Sequence, residues 1–395
     1  MSIKSIRDID IKGKRVLFRF DFNVPLDEFG NIKDDTRIRR ALPTIRYAIE
    51  QGARSILTSH LGRPKGEKKP EMSLHPVSVH LGKLLGLDVG FVDDCVGKQV
   101  QDAVSVLPNG GVLLLENLRF HAEETKNDPK FAAELAALAD VYVNDAFGTA
   151  HRAHASTVGV AELVKEKAAG MLMKEELENL DRALSNPAKP VVAIFGGAKV
   201  SDKLEVLRNI LQRMDAVLIG GGMANTFLKA RGFDTGASFV EEEMLGTAAE
   251  ILELAQKTCC TAVLPSDVLV AEKMEAGAHT AVVEVEGIPR GEMALDIGPK
   301  TVERFAAEVR KAGTIVWNGP MGVFEIDAFK RGTMEIAQAV ASAPGFSLVG
   351  GGDTIRAVQQ AGVADKISYI STGGGAFMEF MEGKTLPGVA ALEAS

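Results

Sequence analysis

Cysteine is nearly absent: 395 residues contain Cys95 and the adjacent Cys259-Cys260, and no other. Neighbouring cysteines have poor geometry for a mutual disulfide, and the pair lacks the two-residue spacing and further ligands of a zinc site. The pair is expected as small buried hydrophobes, and the three cysteines fit a reducing compartment. No apolar run approaches the length of a membrane span, and the start, Met1 to Asp8, places charges where a signal peptide needs its apolar region. These absences predict a cytoplasmic protein with no membrane partner. No low-complexity tract or short-period repeat occurs, so the whole chain is expected to fold. Three catalytic signatures are missing as well: the GxxxxGK[ST] of a Walker A loop, a GxGxxG after the first strand of either half, and a Ser-His-Asp or Cys-His arrangement.

Charge is present but uneven. The net charge of −8 argues against a general nucleic-acid binder, yet residues 1–65 hold fourteen Lys and Arg against eight Asp and Glu. A basic region inside an acidic chain reads as a pocket for a small anion. This length is long for one hydrophobic core, and two domains are expected.

Strand-like runs at Val16–Phe20, Ser55–Thr58, Val112–Leu115 and Val141–Val143 alternate with helix-like stretches at 37–50, 77–85 and 130–138. The alternation predicts βαβ units on a parallel sheet. Residues 160–184, rich in Ala, Leu, Glu, Lys and Met, read as a helix stopped by Pro187 and Pro190, and the βα alternation then resumes at Val191 and persists to about Ile370. The expected fold is α/β: two doubly wound, Rossmann-like parallel-sheet domains facing a central cleft and joined by a helix.

Strand ends carry the ligands of open α/β sheets, and the two halves end theirs differently. In the first half the ends supply Asp21 and Asn23, then His60 and Arg63, Arg119, and a loop with Arg152, while Arg37 opens the helix after the first loop. Arginine forks from separate strand ends suit one phosphate and one carboxylate. His60, His151 and His154 invite a metal reading, but flanking Arg63 and Arg152 would repel a cation. Asp21 is a candidate general base, or it orients an arginine or accepts a substrate hydroxyl.

In the second half five runs end in glycine: Gly196-Gly197-Ala198-Lys199, Gly220-Gly221-Gly222, Asn318-Gly319-Pro320, Gly350-Gly351-Gly352-Asp353-Thr354 and Gly373-Gly374-Gly375. Glycine lets backbone approach phosphate, and Lys199 and Lys203 are expected four apart on one helix face, holding two phosphoryl groups. Asp353 and Thr354 at a glycine nest suit magnesium held against nucleotide phosphates. Gly374 and Gly375 open the last helix, whose amides would attract an anion.

These segments also carry a family resemblance. Arg19 to Pro25, His60-Leu61-Gly62-Arg63-Pro64, Glu116 to Phe120 and Asn144 to Arg152 resemble the first-domain motifs of phosphoglycerate kinases. Gly196 to Lys203, Trp317 to Glu325, Gly350 to Thr354 and Thr372 to Ala376 resemble the second-domain motifs, in family order, over essentially the whole chain. Phe20 and Arg356 depart mildly from the pattern.

The resemblance implies a cytoplasmic, monomeric, hinge-bending kinase of glycolysis that moves a phosphoryl group between 1,3-bisphosphoglycerate and ADP, giving 3-phosphoglycerate and ATP, with Mg²⁺. It implies that Asp21, Asn23, Arg37, His60, Arg63, Arg119 and Arg152 hold 3-phosphoglycerate in a domain made of 1–172 plus 378–395. A connecting helix, 173–189, leads to a Mg-nucleotide domain, 190–377. There Lys203, Asn318, Glu325, Gly350, Gly351, Gly352, Asp353 and Thr354 would bind nucleotide, Asp353 the metal, and Arg37, Lys199, Gly374 and Gly375 would serve the transfer. A carboxylate acceptor, with a free pKa of about 4, needs no catalytic base. The competing readings are a non-catalytic anion binder on the same scaffold and a dehydrogenase, the latter opposed by the missing GxGxxG.

Overall fold

A computed structural model describes residues 3–393, which divide into two compact units: the chain up to Leu177 together with the residues from Thr385 on, and Glu178–Lys384. The helix Met171–Leu184 carries the chain from one to the other. The divisions at 177/178 and 384/385 differ from the 172/173 and 377/378 read from sequence. The helix Gly375–Met381 stays with the second unit because it packs on the helix Leu204–Ile210, where Asn209 Nδ2 donates to Met381 O at 2.7 Å.

The first unit is built on six parallel strands: β1 (Arg15–Arg19), β2 (Arg54–Thr58), β3 (Val89–Val92), β4 (Val112–Leu115), β5 (Val141–Asn144) and β6 (Glu166–Ala169), in the order β3-β4-β2-β1-β5-β6. β1, β2, β4 and β5 are buried along almost their whole length because both faces of the sheet are covered. Phe18, Phe20 and Phe22 alternate to one face and stack with ring centroids 5.5 and 5.2 Å apart, which gives the unusual Phe20 a packed place in the core. The expected long helix over 160–184 is broken: a short helix, Val160–Leu163, precedes the edge strand β6, and only then does Met171–Leu184 begin. Pairing with β5 overrides the helical propensity of Glu166-Lys167-Ala168-Ala169.

The second unit has its own six parallel strands, β7 (Val191–Phe195), β8 (Ala216–Ile219), β9 (Thr261–Val263), β13 (Thr314–Asn318), β14 (Phe346–Gly350) and β15 (Tyr369–Ser371), ordered β15-β14-β13-β7-β8-β9. Between β9 and β13 the expected βα alternation fails. Three strands, β10 (Asp267–Ala271), β11 (Ala281–Glu284) and β12 (Met293–Ile297), form a separate antiparallel sheet in the order β11-β10-β12. Strand order reverses beside β1 and β5 in the first sheet and beside β7 and β13 in the second, and crevices at the carboxyl ends of such strands are where α/β sheets take ligands.

Candidate functional sites

In the second unit the carboxyl ends of β7, β13 and β14 and the turn after β15 surround a cavity of about 400 Å³. Its wall includes Gly196, Gly197, Lys199, Lys203, Asn318 and Asp353, with Gly351, Gly352, Thr354, Gly374 and Gly375. The β7 and β13 loops are pressed together: Gly197 N donates to Pro320 O at 3.0 Å, and a Cβ on Gly196 would overlap that same carbonyl oxygen. Only glycine allows this approach, so the backbone itself forms the floor. Thr354 Oγ1 accepts from Gly319 N at 2.7 Å and ties the β14 loop to the same floor.

Lys203 Nζ donates to Asn318 Oδ1, whose amide Nδ2 donates to Gly350 O at 2.8 Å. Burial lowers the Lys203 pKa, against the opposing pull of Asp202 and Asp353. Lys199 is exposed and makes no hydrogen bond or ion pair, so its ammonium is available to a ligand. The expected helix face for these two lysines is not formed. Residues 198–200 are irregular, 201–203 are turn, and helix begins only at Leu204.

What shapes that turn is Glu241, buried and absent from the sequence reading. Its carboxylate accepts from Val200 N, from Ser201 N at 3.2 Å and from Ser201 Oγ at 2.5 Å, while its own amide donates to Thr226 Oγ1 at 3.1 Å. A buried carboxylate satisfied by two amides and a hydroxyl fixes a loop without helical hydrogen bonds.

Asp353 faces the cavity, and Arg356 Nη2 pairs with it at 2.8 Å and with Glu325 at 3.2 Å while lying over the Phe324 ring. Glu325 is thus drawn beside Asp353 but does not line the cavity. The donor set fits a hard divalent ion: Asp353 and Asp202 offer carboxylate oxygens at the cavity wall, and such an ion is ordinarily completed by phosphate oxygens and water.

In the first unit a cavity of about 440 Å³ brings Arg63, Arg119 and Arg152 together with Lys65, His121 and His154. Asp21, Asn23, Arg37 and His60 do not line it; they form an adjoining group joined to it through Gly62. Asn23 Oδ1 accepts from Gly62 N at 2.8 Å, and Arg119 Nη1 donates to Gly62 O at 2.8 Å. Arg37 Nη1 lies 3.0 Å from both Asp21 oxygens and donates to Asn23 O at 3.1 Å, so Asp21 orients an arginine.

Arg119 is only 7% exposed, and its Nε and Nη2 have no partner. Desolvation, then the charges of Arg19 and Arg152, bring its pKa down to about 10. Unpaired buried guanidinium donors are costly, and a bound anion would satisfy them.

Beneath this group lies Arg19, fully buried and not among the residues selected from sequence. Its Nε donates to Ser156 Oγ at 2.8 Å, Ser156 Oγ donates to Glu124 Oε1 at 2.6 Å, and Arg19 Nη2 is 3.1 Å from His60 Nδ1. A guanidinium only donates, so Nδ1 of His60 accepts and the imidazole proton sits on Nε2. Burial, followed by Arg19, Arg119 and Arg37, holds the His60 pKa well below its usual value, and burial with the same kind of neighbours brings His154 to about 4. Both rings are neutral at pH 7.

The model of the phosphoglycerate kinase family matches residues 6–384. The phosphoglycerate kinase of Moorella thermoacetica is 56% identical over 392 residues, covering 99% of each chain, and that of Koribacter versatilis is 57% identical over 401 residues at the same coverage. The chain belongs to the phosphoglycerate kinase family. Among solved structures, the phosphoglycerate kinase of Coxiella burnetii superposes with a TM-score of 0.93 at 45% identity, covering 99% of each chain. That of Pyrococcus horikoshii gives 0.84 at 36% identity, covering 99% of this chain and 98% of the other. Membership makes the chain a phosphotransferase of glycolysis, working on phosphoglycerate and an adenine nucleotide with a divalent metal. Among the described residues, no helix is long and apolar enough to cross a membrane.

Proposed function

We propose that the two units divide the substrates of the reaction between 1,3-bisphosphoglycerate and ADP. The first holds 3-phosphoglycerate through Asp21, Asn23, Arg37, His60, Arg63, Arg119 and Arg152. The second holds Mg²⁺ with ADP or ATP through Lys203, Asn318, Glu325, Gly350, Gly351, Gly352, Asp353 and Thr354. The observation that carries this reading is the unpartnered pair of buried donors on Arg119, since a guanidinium fork meets a phosphate or carboxylate in two parallel bonds. The glycine-walled cavity supports the other half, because polyphosphate needs backbone approach and a lysine without a competing partner.

The acceptor is a carboxylate, ionised at neutral pH, so no side chain must remove a proton before attack. A loose phosphoryl-transfer transition state asks for in-line placement and charge neutralisation. Lys199 follows the migrating group, Arg37 meets its acceptor side, and the amides at Gly374 and Gly375 face its oxygens. Neutral His60 offers its Nε2 proton to a substrate oxygen. Asp353 would hold Mg²⁺ against the nucleotide phosphates, and the ion supplies further neutralisation there; Arg356 must release the carboxylate for this. Because donor and acceptor are bound by different units, transfer requires a hinge motion that aligns them and excludes water. The chain acts in the cytoplasm as a monomer on small anions, without nucleic acid or membrane, a reading supported by its net charge of −8.

The test is a coupled assay with Mg-ATP and 3-phosphoglycerate, following 1,3-bisphosphoglycerate through its NADH-dependent reduction. Turnover abolished by EDTA and restored by added Mg²⁺ is expected. Turnover indifferent to chelation would remove the metal assignment at Asp353.

A further inference from the structure

Adjacent parallel strands β3 and β4 end side by side in the first unit, and each end delivers groups outside the set assigned to phosphoglycerate. After β3 come Asp94 and Cys95; after β4 and the turn Leu118–Phe120 comes His121. One carboxylate oxygen, the Cys95 sulfur and one imidazole nitrogen all lie within 4.8 Å of one another. We propose that Asp94, Cys95 and His121 form a binding site for one divalent transition-metal ion of the zinc class, distinct from the magnesium site on the nucleotide.

The ligand chemistry is mixed thiolate, imidazole and carboxylate, which suits Zn²⁺ and not the hard ions that accompany phosphates. Access and burial are graded in the right sense. Side chains of Asp94 and His121 are 43% and 29% exposed and form the mouth, while Cys95 is 1% exposed and forms the floor. Two contacts orient the ligands: Cys95 N donates to Asp94 Oδ1 at 2.7 Å within the cluster, and the His121 ring rests against Phe131 at 5.1 Å between centroids. Such supporting contacts hold metal ligands in place.

Cys95 is a free, buried cysteine. His121 Nε2 donates to Asp94 Oδ1 at 2.7 Å. When metal binds, the thiol releases its proton to solvent and coordinates as thiolate. The imidazole moves its proton from Nε2 to Nδ1 and coordinates through Nε2, and a water completes the fourth position. Net release is about one proton per ion. His121 also lines the cavity with Arg119 and Arg152, so occupancy adds positive charge beside the substrate anion.

Co²⁺ is the probe, because thiolate ligation gives it a sulfur-to-metal absorption that oxygen ligation lacks. The full chain, stripped with chelator, is expected to bind one Co²⁺ with this absorption and to lose it on adding Zn²⁺. Cys95→Ala should abolish the band, whereas Cys259→Ala, which removes the exposed thiol, should keep it. Asp94→Asn and His121→Gln retain the buried thiol, guard against a folding failure of Cys95→Ala, and should each weaken binding more than about tenfold. Absence of the band in the unaltered chain overturns the proposal. So does a band lost only in Cys259→Ala, or one unchanged in both Asp94→Asn and His121→Gln.

Discussion

The two six-stranded sheets present ligand groups from the same end of their strands, yet they do so with different materials. The first unit uses long cationic side chains: Arg19 and Arg119 are buried, and burial followed by their charges keeps two histidines neutral. The second unit brings its backbone to the ligand, clearing space with glycine at Gly196 and Gly319 and adding two lysines from a turn. A compact anion of fixed shape is matched by forks of fixed geometry, whereas a polyphosphate with its metal is matched by a bare floor and point charges. The difference teaches that a shared topology sets where a site lies, and the residues at its strand ends set what it takes.

The comparison can be broken most forcefully at Lys199. Lys199→Ala should fold normally, bind both substrates nearly as before, and lose on the order of 10³-fold in kcat, as expected for a cation that acts on the transition state. Steady-state kinetics retaining most of kcat would remove Lys199 from the transfer. Next comes Arg37→Ala, which should weaken 3-phosphoglycerate roughly 10- to 100-fold, the worth of a charge-assisted hydrogen bond, while nucleotide affinity changes little. Equal weakening of both ligands, measured by calorimetry, would undo the division of substrates.

Glu241→Gln sharpens the account of the lysine turn. Gln keeps the size but offers a single carbonyl in place of a charged acceptor, so KM for nucleotide should rise about tenfold with kcat nearly preserved. A fall in kcat with unchanged KM would contradict a role in shaping the ground-state site. The smallest effect concerns pH. Asp296, buried beside Gly332 and accepting from its amide at 2.6 Å, has its pKa pushed from 3.8 to about 7 by desolvation. Between these values the folded carboxyl keeps a proton that the unfolded chain has released, so this group's stabilising contribution is lost as pH rises through the window. Asp296→Asn should flatten that part of the slope in melting temperature against pH; an unaltered slope would show that Asp296 titrates normally.

Much of this contrast was legible in the residues themselves. Apolar runs ending in Arg, His and Asn or in glycine clusters marked both sheets and many of the residues that line the two cavities, because parallel strands are covered on both faces and loops at their ends are exposed. Other features were hidden for identifiable reasons. β6 reads as helix because an edge strand needs only half its side chains buried, and β3, with Gly90 in it, is short. The antiparallel insertion β10-β11-β12 depends on pairing across loops that no local pattern announces. Cys259, expected buried, is exposed with φ of 58° in a turn. Arg19, Glu124 and Glu241 are charged residues taken inside by partners 32 to 137 positions distant along the chain, and burial of charge cannot be read before those partners are known.

The most direct test of the central claim is crossed calorimetry. Titrations of 3-phosphoglycerate and of Mg-ADP are run on Arg119→Ala and on Lys203→Ala. The account predicts that Arg119→Ala loses 3-phosphoglycerate binding and keeps nucleotide, and that Lys203→Ala does the reverse. Loss of both ligands in either folded variant, or loss of the wrong one, would contradict a division of the substrates between the arginine site and the glycine site.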